Sequence, residues 1–211
     1  MILPNATLFP RTMLPLYIFE PRYRRMLEKS LETHRLFAVA MKRRDCSREI
    51  PCRVAGLGMV RVAVRHDDGT SHLVLQGVSR IELDKAVSYR PFRRHRYRLI
   101  QSDPGEKEDF VALINQVAEL VRIRLNQGSD VSFEVLKELA SGAGAGDDYD
   151  GFDDPVGDMI GLANPEQLVD LVSCTLLTIP EERQTMMEVI EIEPRLNFLI
   201  DFLSAEVARN G

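Results

Sequence analysis

One short segment concentrates the side chains best suited to binding chemistry. Between residues 89 and 98, arginines are interleaved with aromatic rings. Guanidinium groups form paired hydrogen bonds with carboxylates and phosphates, and they stack on planar rings. The segment therefore predicts a site for polypeptide or anionic groups, made by Tyr89, Arg90, Phe92, Arg93, Arg94, Arg96 and Tyr97.

The same pattern has two structural interpretations that the sequence leaves open. Arginines along an edge strand discourage edge-to-edge aggregation, and a basic strand can also dock on acidic helices. Residues 1–100 carry 20 lysines and arginines against 9 aspartates and glutamates, whereas residues 101–211 carry 7 against 23. The acidic second half argues against strong nucleic-acid affinity, because phosphate binding needs several unopposed cations.

Signatures of catalysis and metal binding do not occur in the sequence. It contains no Gly-x-x-x-x-Gly-Lys-Ser/Thr loop for nucleotide phosphates and no Gly-x-Ser-x-Gly nucleophile motif. The four histidines are scattered, and the aspartates between Asp147 and Asp154 do not fit the register of a calcium-binding EF-hand loop. We therefore predict no catalytic residue, no metal site and no cofactor.

In the first half, prolines, glycines and a turn motif divide the sequence into short segments, which predicts short strands and one helix. Pro10 and Pro15 divide two short apolar runs, and Gly77 is expected to interrupt a strand. Val60, Val62 and Val64 alternate with other residues, which predicts that all three lie on one buried strand face. Asp67-Asp68-Gly69-Thr70 predicts a hairpin turn. A helix beginning near Pro21 should bury one stripe, formed by Tyr23, Met26, Leu27 and Leu31.

The second half has helical periodicity. A capped start at residues 103–106 and apolar residues from Phe110 to Leu125 predict a long helix that Gly128 ends, and Phe133 to Ala140 predicts a shorter one. Residues 141–154 combine alternating glycines with aspartates, which predicts a flexible segment. Asn164, Pro180 and Pro194 mark the starts of three further helices. We thus expect a β-barrel subdomain over residues 1–100 and an α-helical bundle over residues 101–211.

The overall composition is that of an ordinary globular protein. The chain has 211 residues, of which 45% are hydrophobic, and no apolar run approaches the length of a membrane span. Three cysteines are few and odd in number, which favours reduced thiols. With no leader-like start at Met1, we expect a cytoplasmic protein that has no membrane partner and is a monomer or weak homodimer.

The order Leu8-Phe9-Pro10, Leu14-Pro15-Leu16, Phe19-Glu20-Pro21-Arg22-Tyr23, then a helix and Phe37-Ala38-Val39-Ala40 resembles the amino-terminal domain of ATP-dependent Lon proteases. The resemblance continues through the second half, at Leu168 to Leu171, Ile179 to Gln184 and Pro194 to Leu196. It implies an α+β fold: a PUA-like twisted β-barrel of about six strands with one helix, followed by the helical bundle. The residues of this motif are then expected to have structural rather than binding roles: Pro10, Pro15, Glu20, Pro21, Arg22 and Tyr23.

The resemblance also implies a role. It points to a non-catalytic module that binds unfolded or exposed apolar polypeptide segments, with delivery to a protease as one use of such binding. The ATPase and Ser-Lys peptidase motifs of Lon proteases do not occur in the chain, so no enzymatic activity is expected. The alternative is RNA binding through the Arg90 to Arg98 stretch, since PUA-like barrels include RNA binders.

Overall fold

A computed structural model describes residues 1–101, 110–127 and 164–210. The chain divides into two compact units, Met1–Gln101 and Ser102–Gly211. The predictions made for residues 103–106, for Gly128, for Phe133 to Ala140 and for residues 141–154 lie outside the described residues. Within the described part of the chain, no helix is long and apolar enough to cross a membrane.

The first unit is built on a mixed sheet of six strands. The strands are β1 (Ile2–Leu3), β2 (Met13–Ile18), β3 (Leu36–Met41), β4 (Val54–Arg65), β5 (Ser71–Ser88) and β6 (Arg94–Leu99). They pair in the order β1-β3-β4-β5-β2, and β6 pairs with the second half of β5. Only the β1–β3 pair is parallel. The predicted α+β class, with six strands and one helix in the first half, is confirmed.

Helix α1 (Pro21–Leu31) packs against the sheet and forms the core of the first unit with it. Pro21 occupies the first turn, where no backbone N–H donor is required. Tyr23, Met26 and Leu27 are buried in one cluster with residues of strands β2 to β5, as their spacing predicts. Leu31 was assigned to the same stripe, and this is wrong: it ends the helix and is 37% exposed.

The segment before β2 crosses the sheet at two glycines. Leu8 and Phe9 are fully buried, and a Cβ atom at Gly77 would lie 1.9 Å from the carbonyl oxygen of Phe9. A Cβ at Gly56 would lie 2.0 Å from the carbonyl oxygen of Leu8. The prediction that Gly77 interrupts its strand is only partly right: β5 continues through Gly77, but the ladder with β4 carries an extra residue, Val78, directly after it. Gly77 is there because another stretch of backbone passes against it.

A β-bulge overturns the prediction for the valines of β4. Val60 pairs with Leu75 and Val62 pairs with Val74, so Arg61 is an extra residue in the ladder. Val60 is buried as predicted, whereas Val62 and Val64 are 55% and 53% exposed. The extra residue shifts the alternation by one, which turns both valines to the outer side of the sheet.

Strand β2 also differs from its prediction. Pro15 was expected to break an apolar run, but it lies inside the strand, opposite Val74. Proline is tolerated there because β2 is an edge strand, paired within residues 1–101 with β5 alone. The predicted hairpin turn is confirmed: it joins β4 to β5, and Gly69 takes a positive φ of 78°.

The described part of the second unit is helical. It comprises α2 (Val111–Asn126), α3 (Pro165–Leu176), α4 (Pro180–Glu188) and α5 (Ile192–Asn210). The side chain of Asn164 accepts a hydrogen bond from the Gln167 N–H at 2.8 Å, which is the predicted cap. The starts of α3 and α4 lie within a residue of their predicted positions, and α5 begins two residues before Pro194. A buried ion pair joins Asp170 of α3 to Arg195 of α5.

Candidate binding surfaces

The first candidate surface is a set of apolar side chains on the outer side of β2, β5 and β4. Directly paired residues of neighbouring strands share a face of the sheet. Pro15, Val74 and Val62 form one row across the three strands, and Tyr17, His72 and Val64 form the next. We call these six residues the apolar face. They border one shallow groove, and Tyr17 is 48% exposed.

Aromatic rings extend the apolar face at one end. The Tyr17 ring lies 4.7 Å from the His72 ring and 5.9 Å from that of Phe19, centre to centre, and Phe19 is itself 59% exposed. His66 Nε2 and His72 Nδ1 are 2.7 Å apart, so the two imidazoles share one hydrogen bond. These contacts hold large flat groups in place at the surface, where they can cover an apolar ligand without much loss of side-chain entropy.

The second candidate surface is a cavity of about 800 Å³ between α1 and the sheet. It brings together several of the residues that the sequence singled out. From the Arg-rich segment, Arg90, Phe92, Arg93, Arg94, His95 and Tyr97 line it, and from the motif around α1, Arg22 and Tyr23 line it, with Arg25 beside them. We call this cavity and its lining the basic cleft.

The motif residues hold one wall of the basic cleft. Arg22 donates two hydrogen bonds to Glu49, at 2.5 and 2.6 Å, and a third to Glu20 at 2.9 Å. The guanidinium of Arg22 lowers the pKa of the Glu49 carboxyl. Tyr23 is buried, and its hydroxyl donates to the Ile2 carbonyl and accepts from the Ile2 N–H. Burial raises the pKa of that hydroxyl above its usual range.

Four other arginines of the cleft differ from Arg22, because no nearby carboxylate among the described residues balances their charge. Within the described part of the chain, no carboxylate lies within 4 Å of the guanidinium of Arg25, Arg90, Arg93 or Arg94. Arg93 is half-buried, and its guanidinium lies 5.3 Å from the centre of the Tyr89 ring. It adds to the lowering of the Glu49 pKa. The cleft thus carries positive charge that its own residues leave unbalanced.

Other predicted site residues lie outside the basic cleft. Tyr89 borders a neighbouring depression with Arg93, and Arg96 is exposed on β6 away from the cleft lining. Arg98 pairs with Glu82 at 2.8 Å. Pro10 lies in the turn before β2, and Pro15 belongs to the apolar face. Sequence patterns identified most residues of the basic cleft but not the apolar face. The one signal for the apolar face was the row of valines in β4, and the sequence analysis placed those valines in the core.

The described residues offer no group of three or more metal-ligating side chains. The aspartates between Asp147 and Asp154 lie outside the described part of the chain. Cys46, Cys52 and Cys174 form no disulfide bond, and Cys52 is buried.

Relatives in sequence share one kind of domain. A sequence model of the ATP-dependent protease La (LON) substrate-binding domain matches residues 1–205. Lon protease 1 of Hydrogenovibrio crunogenus is 22% identical over 97% of this chain, which covers 23% of that protein. The Lon protease of Roseiflexus castenholzii is 25% identical over 97% of the chain, covering 24% of its length. The chain therefore spans about a quarter of the curated relatives it matches.

Solved structures agree on the fold. The amino-terminal domain of a Mycobacterium avium complex Lon protease superposes with a TM-score of 0.67 at 12% identity, covering 97% of this chain and 96% of that one. A Lon amino-terminal domain protein from Xanthomonas campestris superposes with a TM-score of 0.63 at 14% identity, covering 95% and 96%. With the family match across nearly the whole chain, the predicted resemblance is confirmed: this chain belongs to the LON substrate-binding domain family.

Proposed function

We propose that this protein binds unfolded or exposed apolar segments of polypeptides on the apolar face. The observation that carries the proposal is the exposure of Tyr17, Val62 and Val64 side by side on one sheet surface. Burying contiguous exposed apolar area is the main driving force for such binding. The family's name, which specifies substrate binding, supports the same role.

The neighbouring strand edge gives a polypeptide a second means of attachment. Strand β2 pairs, within residues 1–101, on one side only. An extended peptide can add to an open edge through backbone hydrogen bonds, which are independent of its sequence, while apolar pockets select alternate side chains. Groove and edge together suit a binder of many different unfolded segments.

Paired substitutions test this proposal. The double variant Val62→Asp, Val64→Asp places charge in the apolar face, and the matched control Val87→Asp alters a valine on β5 that is equally exposed, at 59%, but lies outside that face. We expect the double variant to weaken binding of fluorescein-labelled casein by about tenfold or more and the control to leave it unchanged, in fluorescence-anisotropy titrations. Equal losses in both variants would contradict the proposal.

The names of the related proteins support two further statements about function, one on catalysis and one on a protease partner. We propose that the module has no catalytic activity of its own and that bound segments pass to a protease. Purified protein should then hydrolyse neither ATP nor casein, while adding it to a Lon protease from the same cell should change the rate of casein degradation. A turnover that persists through independent purifications, or an unchanged degradation rate, would count against the respective part.

RNA binding through the Arg90 to Arg98 stretch is the second candidate, favoured by the arginines that have no carboxylate partner in the described part of the chain. The salt dependence of the binding affinity distinguishes the two candidate functions. If Arg93, Arg94 and Arg96 bind the phosphates of a single strand, replacing all three with alanine should flatten the slope of log affinity against log salt by about 2. We expect instead that casein binds with little salt dependence and with a negative heat-capacity change. Tight, salt-steep binding of a labelled single-stranded RNA without casein binding would favour the second candidate.

A further inference from the structure

The basic cleft has an apolar floor beneath its charged rim. Ala38, Leu57 and Leu83 come from three adjacent strands, are half-buried and line the cavity, and Tyr97 of β6 lies beside them. A cavity of about 800 Å³ falls in the range of pockets that enclose small molecules. The floor offers hydrocarbon contacts that a phosphate backbone could not use.

The rim supplies a cation that is held in place but not neutralised. Arg22 already spends its hydrogen bonds on Glu49 and Glu20. Arg93 has no carboxylate within 4 Å in the described part of the chain, and the Tyr89 ring supports its guanidinium. A half-buried guanidinium without a carboxylate partner gains most from an anion that can accept two hydrogen bonds in one plane.

We propose that the basic cleft binds a small organic anion: a carboxylate or phosphate monoester carried on an apolar body. Its acidic head group pairs with Arg93, with Arg94 and Arg25 adding to the field, and its hydrocarbon part covers Ala38, Leu57 and Leu83. This site is independent of polypeptide binding, which the apolar face performs. An RNA strand fits less well, because Arg96 lies off the cleft lining and Arg98 is paired with Glu82.

Four simple probes separate head group from body. Octanoate and octyl phosphate carry both parts, octan-1-ol carries the body alone, and inorganic phosphate carries the charge alone. In calorimetric titrations we expect saturable one-to-one binding of octanoate or octyl phosphate, and weaker binding of the other two. The comparison of octanoate with octyl phosphate identifies the preferred head group.

Two variants of equal charge change locate the site. Arg93→Gln removes the proposed partner, and Arg96→Gln removes an arginine on the same segment that does not line the cleft. We expect Arg93→Gln to weaken binding by about tenfold or more and Arg96→Gln to change it by less than about twofold. Equal effects would overturn the proposal, because they would indicate general attraction to a basic surface.

A measurement on the unaltered protein keeps the test valid even if Arg93→Gln does not fold. Methyl resonances of Ala38, Leu57 and Leu83 should shift on adding octanoate, while those of Val62 and Val64 stay unchanged. Shifts confined to the two valines would overturn the proposal, because octanoate would then be binding to the apolar face. No saturable binding of either acid, or binding of single-stranded RNA alone, would overturn it as well.

Discussion

The apolar face and the basic cleft are built from the same sheet by opposite means. On the apolar face, strand pairing places side chains that make few specific contacts and stay exposed. In the basic cleft, Arg22, Glu20 and Glu49 are tied together by hydrogen bonds, and the charge of Arg93 is left over. A surface of the first kind accepts many apolar sequences, whereas one of the second kind demands an acidic group in a set position. The same small domain can therefore combine tolerance and selectivity on separate sides.

The largest effect should follow from removing the anchor that both surfaces share. Tyr23 is buried in the core between α1 and the strands, and its hydroxyl bonds to both backbone groups of Ile2. We expect Tyr23→Ala to lower the free energy of unfolding by about 3–5 kcal/mol, through lost packing and the cavity left behind. Tyr23→Phe keeps the ring and should cost only about 1 kcal/mol for the hydrogen bonds.

Urea denaturation followed by circular dichroism measures both variants. A midpoint that does not move in Tyr23→Ala would place this residue among the functional rather than the structural ones, and it would break the shared-core account of the two surfaces.

The next largest effect should separate the two surfaces by their salt response. Raising the salt concentration from 50 to 200 mM should weaken octanoate binding to the basic cleft several-fold, because its affinity depends on a charge pair that is partly open to solvent. Casein binding to the apolar face should change by less than about twofold over the same range, because apolar burial is not screened. Parallel titrations of both ligands in one buffer series measure the contrast, and equal salt slopes would remove the distinction.

The smallest effect concerns the ion pair that holds the cleft wall. The folded state lowers the pKa of Glu49 below its unfolded value, chiefly because Arg22 hydrogen-bonds to the charged form. Such a carboxylate stabilises the fold above the pKa of an unperturbed glutamate, about 4.3, and the contribution disappears as the pH falls through the lower folded pKa. Glu49→Gln should cost less than about 1 kcal/mol at pH 7, since both partners are about one third exposed.

Unfolding free energies of the unaltered protein and of Glu49→Gln, measured from pH 7 to pH 3, should converge as the pH falls. A difference that stays constant across this range would show that the substitution acts through packing. The variant should leave casein binding unchanged, which keeps the cleft and the apolar face distinct.

Sequence reasoning was strongest where a local rule decides the outcome. The α1 stripe of Tyr23, Met26 and Leu27, the turn at Gly69 and the cap at Asn164 each depend on a few neighbouring residues, and each is confirmed. The family motif then supplied the fold class, since local patterns alone do not determine how strands pair.

Sequence reasoning failed where the conformation or environment of a residue is set by another residue far away in the sequence. The bulge at Arg61 is set by pairing with β5, so the period of two that assigned Val62 and Val64 to the core had no means of detecting it. Gly77 looked like a strand breaker because the passing backbone of Phe9 lies 68 residues earlier in the sequence. The apolar face was missed for this reason, whereas the Arg-rich segment was found because its residues are contiguous.

Strand β5 runs for 18 residues. Its first part contributes His72 and Val74 to the apolar face, and its second part contributes Ile81 and Leu83 to the lining of the basic cleft. Its pairing with β4 extends from Ser71 opposite Arg65 to Glu82 opposite Val54. Amide protons along this ladder should therefore exchange with solvent through one cooperative opening, with similar protection near His72 and near Ile81. Neither surface can then melt by itself, so a ligand that slows exchange at one end of β5 should slow it at the other.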